Sequence, residues 1–183
     1  VLTHRLFRAV ERLSRLDDPT DKAVRAIRRA VGGTAVERAL RGTWLGHPVH
    51  PLLILAPIGA YTCAAVADFA FGDRETAHRF TGVGLLATPP AVVTGLVELS
   101  TLTDAPSRRV GLVHAAANAV ASTCFLAAYV TGRRTWSVLG LAAVGAGGAL
   151  GGHLSYALGA GVGREPVEGA PEVETSPTDN LPD

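Results

Sequence analysis

The chain has 183 residues, a formal net charge of +1 and a hydrophobic share of 48%, which amounts to one modest domain. Its basic residues are interleaved with acids and an apolar stripe, a pattern that argues against a nucleic-acid-binding role. The totals would suit a soluble protein, but their distribution does not. Roughly the first forty residues are arginine-rich, the last twenty acidic and proline-rich, and the apolar residues lie between.

In chain order, Leu2, Leu6, Val10, Leu13 and Leu16 recur at helical spacing with arginines between them. The stretch lacks the uninterrupted apolar core and small-residue cleavage site of a signal peptide. A second short helix is expected to start at Asp18-Pro19, with Asp18 as cap, and to stop at Gly32-Gly33. A third is expected from Thr34, with Glu37 completing a capping box. Basic amphipathic helices beside a membrane lie on its anionic surface.

Then follows "GHPVHP", with His47 and His50 each ahead of a proline. Four apolar runs come next, at 51–71, 80–102, 110–132 and 136–158, with charges gathered at their ends. A bilayer core of about 30 Å needs roughly 20 apolar helical residues. The expected fold is all-α: a four-transmembrane-helix up-down bundle preceded by short amphipathic interfacial helices. Its parts are a basic cytoplasmic-side segment (1–44), the transmembrane domain (45–163) and a disordered acidic tail (164–183). Cys63 and Cys124 match no zinc or iron–sulfur spacing and read as small buried packing residues.

Arginine and lysine placement sets the orientation. The leading segment and the second loop, with Arg108 and Arg109, carry most of the positive charge, so both termini are expected in the cytoplasm. Ionisable residues inside spanning helices are costly and mark function by default. Counting about 1.5 Å per residue, Glu98, His114 and His153 fall at one depth in the cytoplasmic half, with His47 and His50 at its rim. Asn118 lies one turn beyond His114 on the same face. Asp68 and His78 are expected as a separate outer pair.

Neutral imidazoles with a carboxylate suit a transition-metal ion, and imidazole pairs suit haem iron. The chain contains no Met, which removes His/Met haem ligation. In an up-down bundle the first and third helices are diagonal, so His50 (or His47) with His114 makes the better haem pair. His114 and His153, on adjacent helices, better suit a compact metal site with His50 and Glu98. Both alternatives stay open. The glycine-rich fourth helix would let helices approach closely, and Pro89-Pro90 should kink the second.

Three segments carry a resemblance: "GTWLGHPVHPLLILAPIG", "RRVGLVHAAANAVA" and "GGHLSYALGAGVG". Together they resemble a bacterial family of four-helix membrane proteins of unknown function, over about Leu45 to Gly163. The resemblance implies functional weight for His47, His50, His114, Asn118, Gly152 and His153, with Glu98 where relatives often carry an acid. Some members continue into a Rieske-type [2Fe–2S] domain, whose Cys and His ligands this chain lacks. It therefore implies a redox partner, with no iron–sulfur cluster in this chain. The resulting expectation is a multi-pass protein of the bacterial plasma membrane that binds haem b or a transition metal and exchanges electrons with a Rieske-type protein. Its contacts are the lipid bilayer and that partner, with homo-oligomerisation open and no nucleic acid. The alternative is a non-catalytic anchor or assembly subunit with structural histidines. No Ser or Cys has a sequence-readable base, so a stand-alone enzyme has the least support.

Overall fold

A computed structural model describes residues 2–161, which are predominantly helical and contain no strand. Three short helices lead: α1 (Leu2–Glu11), α2 (Asp17–Val31) and α3 (Ala35–Arg41). Four helices long and apolar enough to cross a membrane follow: α4 (His50–Ala70), α5 (Arg74–Thr101), α6 (Ala105–Thr131) and α7 (Arg134–Ala157). The acidic tail lies outside the described residues.

Local chemistry sets these boundaries. Asp73 and Asp104 cap α5 and α6, each accepting from the backbone N–H three residues on, at 3.0 and 2.8 Å. Thr34 caps α3 by accepting from Glu37 N at 3.2 Å. The Glu37 carboxylate reaches back to Gly33 N at 2.7 Å, one residue before the cap. The α2 start differs from expectation. The helix begins at Asp17, so Asp17 and Asp18 both lie in its first turn, and no side chain caps it. Acids there still favour the positive end of the helix dipole. Proline leaves its mark on α4, which is interrupted at Ile54. Pro57 there has no N–H to offer the Leu53 carbonyl. By contrast, α5 continues through Pro89 and Pro90 as one helix.

The four spans stand in a ring, with α4 closest to α5 and α6 closest to α7. Tyr61 of α4 and Phe125 of α6 stack across the centre, ring centroids 3.7 Å apart and planes 5° apart. Ala121 completes this buried centre, flanked by Leu85, Leu141, Ala143 and Val144. Large aliphatics point outward along the spans, with Leu86 81% and Val130 74% exposed. In water such a surface would be an association hazard; in a bilayer it is the solvated face.

A second buried cluster joins the leading helices to one end of the bundle: Val24 of α2 against Leu99 and Leu102, with Leu154 and Ala160 beside them. Ionic contacts surround it. Arg109 forks onto both Asp17 oxygens at 2.6 and 2.7 Å and donates to the Glu11 carbonyl. Arg108 meets Asp21 at 2.7 Å, and Arg28 donates twice to the Ser100 carbonyl. The leading segment and the α5–α6 loop thus share one end of the molecule.

Candidate intramembrane histidine site

At that same end, each of α4 and α6 offers an imidazole to the helix it packs against most closely. His50 Nδ1 lies 2.9 Å from the Ala91 carbonyl oxygen of α5 and 3.3 Å from Thr94 Oγ1. A carbonyl only accepts, so Nδ1 carries the proton and Nε2 holds the free lone pair. The ring fits because position 95 is glycine. A Cβ there would stand 2.7 Å from His50 Cε1.

His114 repeats the arrangement. Its Nδ1 donates to the Gly147 carbonyl of α7 at 2.8 Å, and a Cβ on Gly151 would stand 3.0 Å from its Cε1. Asn118, one turn along α6, donates to the His114 carbonyl at 2.9 Å, while its amide nitrogen stands 3.3 Å from His114 Nε2. With Nδ1 donating to Gly147, Nε2 is the basic ring nitrogen, and the Asn118 amide donates to it across a long hydrogen bond. A Cβ on Gly147 would meet Asn118 at 2.8 Å. The α7 glycines therefore make room for polar side chains of α6 as well as for close helix packing.

His153 departs from this layer. Its Nε2 meets Glu11 Oε1 of α1 at 2.7 Å, and its ring stacks on Phe7 with centroids 4.5 Å apart. Among the described residues, no three His, Cys, Asp or Glu side chains form a group able to hold a metal ion. The compact set of His50, His114, His153 and Glu98 is thus not assembled, because His153 serves the docking of α1. His47 is exposed at the rim, with Nδ1 on the Gly46 carbonyl at 2.6 Å. Gly152 has open space where a Cβ would stand.

The opposite end also corrects an expectation. Asp68 and His78 do not pair. Arg134, the first residue of α7, holds Asp68 Oδ1 at 2.8 and 2.9 Å, and His78 stacks on Tyr129. Cys63 and Cys124 are both free thiols, but Cys63 is exposed rather than buried.

Sequence reasoning missed Ala91, Gly95, Gly147 and Gly151 as partners of the histidines, and Glu11 and Phe7 as partners of His153. The glycines were visible as small residues within apolar runs, although nothing in the sequence paired each with its ring. The Glu11–His153 contact spans almost the whole chain and has no local signature.

The fold and these contacts define a class: a four-helix membrane bundle with two histidines locked in the same tautomer near one face. Residues 46–164 match the family described as "Predicted membrane protein (DUF2231)", and the chain belongs to that family. No curated protein and no solved structure matches it.

Proposed function

We propose that this bundle is a membrane redox module in which His50 and His114 hold haem b between them. The observation that carries this reading is the matched state of the two imidazoles. Each commits Nδ1–H to a backbone carbonyl and leaves Nε2 as the basic nitrogen. Iron binds imidazole through such a lone pair, and a hydrogen bond on the other nitrogen fixes ring direction and raises ligand basicity.

The donor set fits. The two residues stand on α4 and α6, diagonal members of the ring, which suits ligands on opposite sides of a macrocycle. The chain offers no Met as an alternative axial ligand. A bare transition-metal ion fits less well, since a closed site asks for more side-chain donors and His153 is occupied by α1. Haem b bound there supplies one-electron transfer within the membrane. The protein's own part is to orient the rings through the Ala91 and Gly147 carbonyls and leave them space at Gly95 and Gly151. Glu98 stands on α5, seven positions beyond the Ala91 carbonyl that seats His50. Asn118 borders the Nε2 face of His114, and His47 and Gly152 border the site without holding the group.

The partner in this reading is a Rieske-type iron–sulfur protein, supported by the family resemblance alone. The positive charge gathered in α1–α3 and the α5–α6 loop supports both termini in the cytoplasm, with the protein in a bacterial plasma membrane. The test is a visible spectrum of detergent-purified protein before and after dithionite, with a metal assay on the same sample. The expected result is a Soret band that shifts on reduction, at one haem per chain. The absence of a Soret band would overturn the reading, whatever metal the sample carries.

One observation favours a structural alternative: the same two hydrogen bonds tie α4 to α5 and α6 to α7 without any ligand. A non-catalytic anchor would lose thermal stability on His114→Ala and show no cofactor before or after the substitution.

A further inference from the structure

The two histidine seats belong to a longer correspondence. His114 follows His50 by sixty-four positions, and Phe125 follows Tyr61 by the same interval. On the partner helices, Gly147 follows Ala91 by fifty-six positions, as Gly151 follows Gly95 and Gly140 follows Gly84. Each pair plays one role. Ala91 and Gly147 supply the carbonyl to Nδ1, and Gly95 and Gly151 make room for the imidazole. Gly84 and Gly140 make room for the Tyr61 and Phe125 rings, with Cβ positions 2.5 and 3.0 Å from them. Burial follows the same register. Pro57, Ala60, Tyr61 and Ala64 are buried on α4, and Ala121, Cys124, Phe125 and Ala128 at the matching places on α6. Gly84, Ala91 and Thr94 on α5 match buried Gly140, Gly147 and Leu150 on α7.

Tyr61 and Phe125 are equivalent residues, and they touch each other. Two symmetry mates meet face to face only on the two-fold axis that relates them. Because α4 and α6 run in the same direction, that axis runs along the helices, as in parallel repeats of membrane proteins. His50 and His114 stand eleven residues before the stacked rings, about 16 Å along the helices. We infer that the spanning domain is two copies of one helical hairpin, α4–α5 and α6–α7, related by a two-fold axis through the Tyr61–Phe125 stack. Its ligand is then a flat, metal-centred macrocycle held on that axis, with His50 and His114 as equivalent donors to its two faces. The ligand half of this inference rests on the haem reading; the duplication does not.

The correspondence also explains what falls outside the site. His153 matches Val97 and Asp68 matches Gly132, so neither has a mate, and each serves a contact at one end of the molecule. Around the equal donors the surroundings differ: Asn118 matches Ile54, Thr94 matches Leu150, and Glu98 matches Leu154. The histidines are alike in ligation and unlike in the polar groups beside them.

Two measurements test this separately. The first is hemin titration of the ligand-free protein in detergent, for the wild type, His50→Ala and His114→Ala, each with and without free imidazole. Loss of a group that merely orients a metal ligand costs about 10–100-fold in affinity. Each single substitution should weaken hemin binding by at least that factor, to the same extent, with imidazole restoring both. If one variant binds like the wild type, that histidine is no donor, and both the equivalence and the two-histidine seat are overturned while the duplication stands on the second measurement. If the wild type binds no hemin, the ligand half falls with the haem reading. The second measurement is thermal unfolding without hemin for Gly84→Ala and Gly140→Ala. Matched drops in Tm support the duplication, whereas a drop in one and none in the other contradicts it, whatever hemin does.

Discussion

Glycine at 151 is defined by the ring that lies against it. A Cβ there would press on His114 at 3.0 Å, while Gly148, on the open face of the same helix, has nothing within 4 Å. Overpacking a close contact costs about 1–3 kcal/mol. Gly151→Leu is therefore expected to lower stability by about that much and to disturb His114, and Gly148→Leu to be near neutral. Thermal melts in detergent compare the two, and equal effects would contradict the seat. Sequence reading could place Glu98, His114 and His153 at one depth, with Asn118 a turn beyond His114, because depth follows from counting residues. It could not say which face each presents. The decisive partners of His50 and His114 are backbone carbonyls, which carry no residue-type signature.

Among the elements, the leading helices are where chemistry with solvent decides the structure. Arg109 beside Asp17 holds that carboxyl below its ordinary value of 3.8. A carboxyl lowered in the folded state contributes stability that is fully present above the ordinary value. That contribution is lost as pH falls through the lowered one. Hydrogen-exchange protection of α2 should thus hold from neutral pH down to the ordinary carboxylate range and fall below it. Asp17→Asn should remove the acid-dependent part, and an unchanged pH profile in that variant would contradict the role of the pair. Val24, 2% exposed, adds a pH-independent anchor. Val24→Ala should loosen α2 by about 2 kcal/mol, from two lost carbons and the space they leave.

Further along, Glu11→Gln should weaken α1 through loss of its contact with His153. Faster proteolysis within residues 2–16, with the spans intact, would report it. The helices of this segment were legible in the sequence from their apolar spacing and glycine stops. Their docking was not, since Arg109–Asp17 and His153–Glu11 join residues far apart in the chain. The Asp68–His78 expectation failed for a related reason. It matched two residues by depth and overlooked Arg134, which opens α7 at the same level and brings a full charge.

For the whole molecule, the four spans were the most legible feature, because bilayer thickness fixes a helix length that the apolar runs display. The duplication was hidden, because its signature is one residue against one glycine on the neighbouring helix. Only a known pairing of helices brings those positions together. An imidazole hydrogen-bonded through Nδ1 to a neighbouring helix, on each of two diagonal helices, is the observation on which the proposed haem seat rests. The most direct test is the reduced-minus-oxidised visible spectrum of the purified protein beside that of the His50→Ala, His114→Ala double variant. The account predicts a haem b difference spectrum in the wild type and none in the double variant at comparable yield of folded protein. A wild type without haem, or a double variant with the same spectrum, would contradict it.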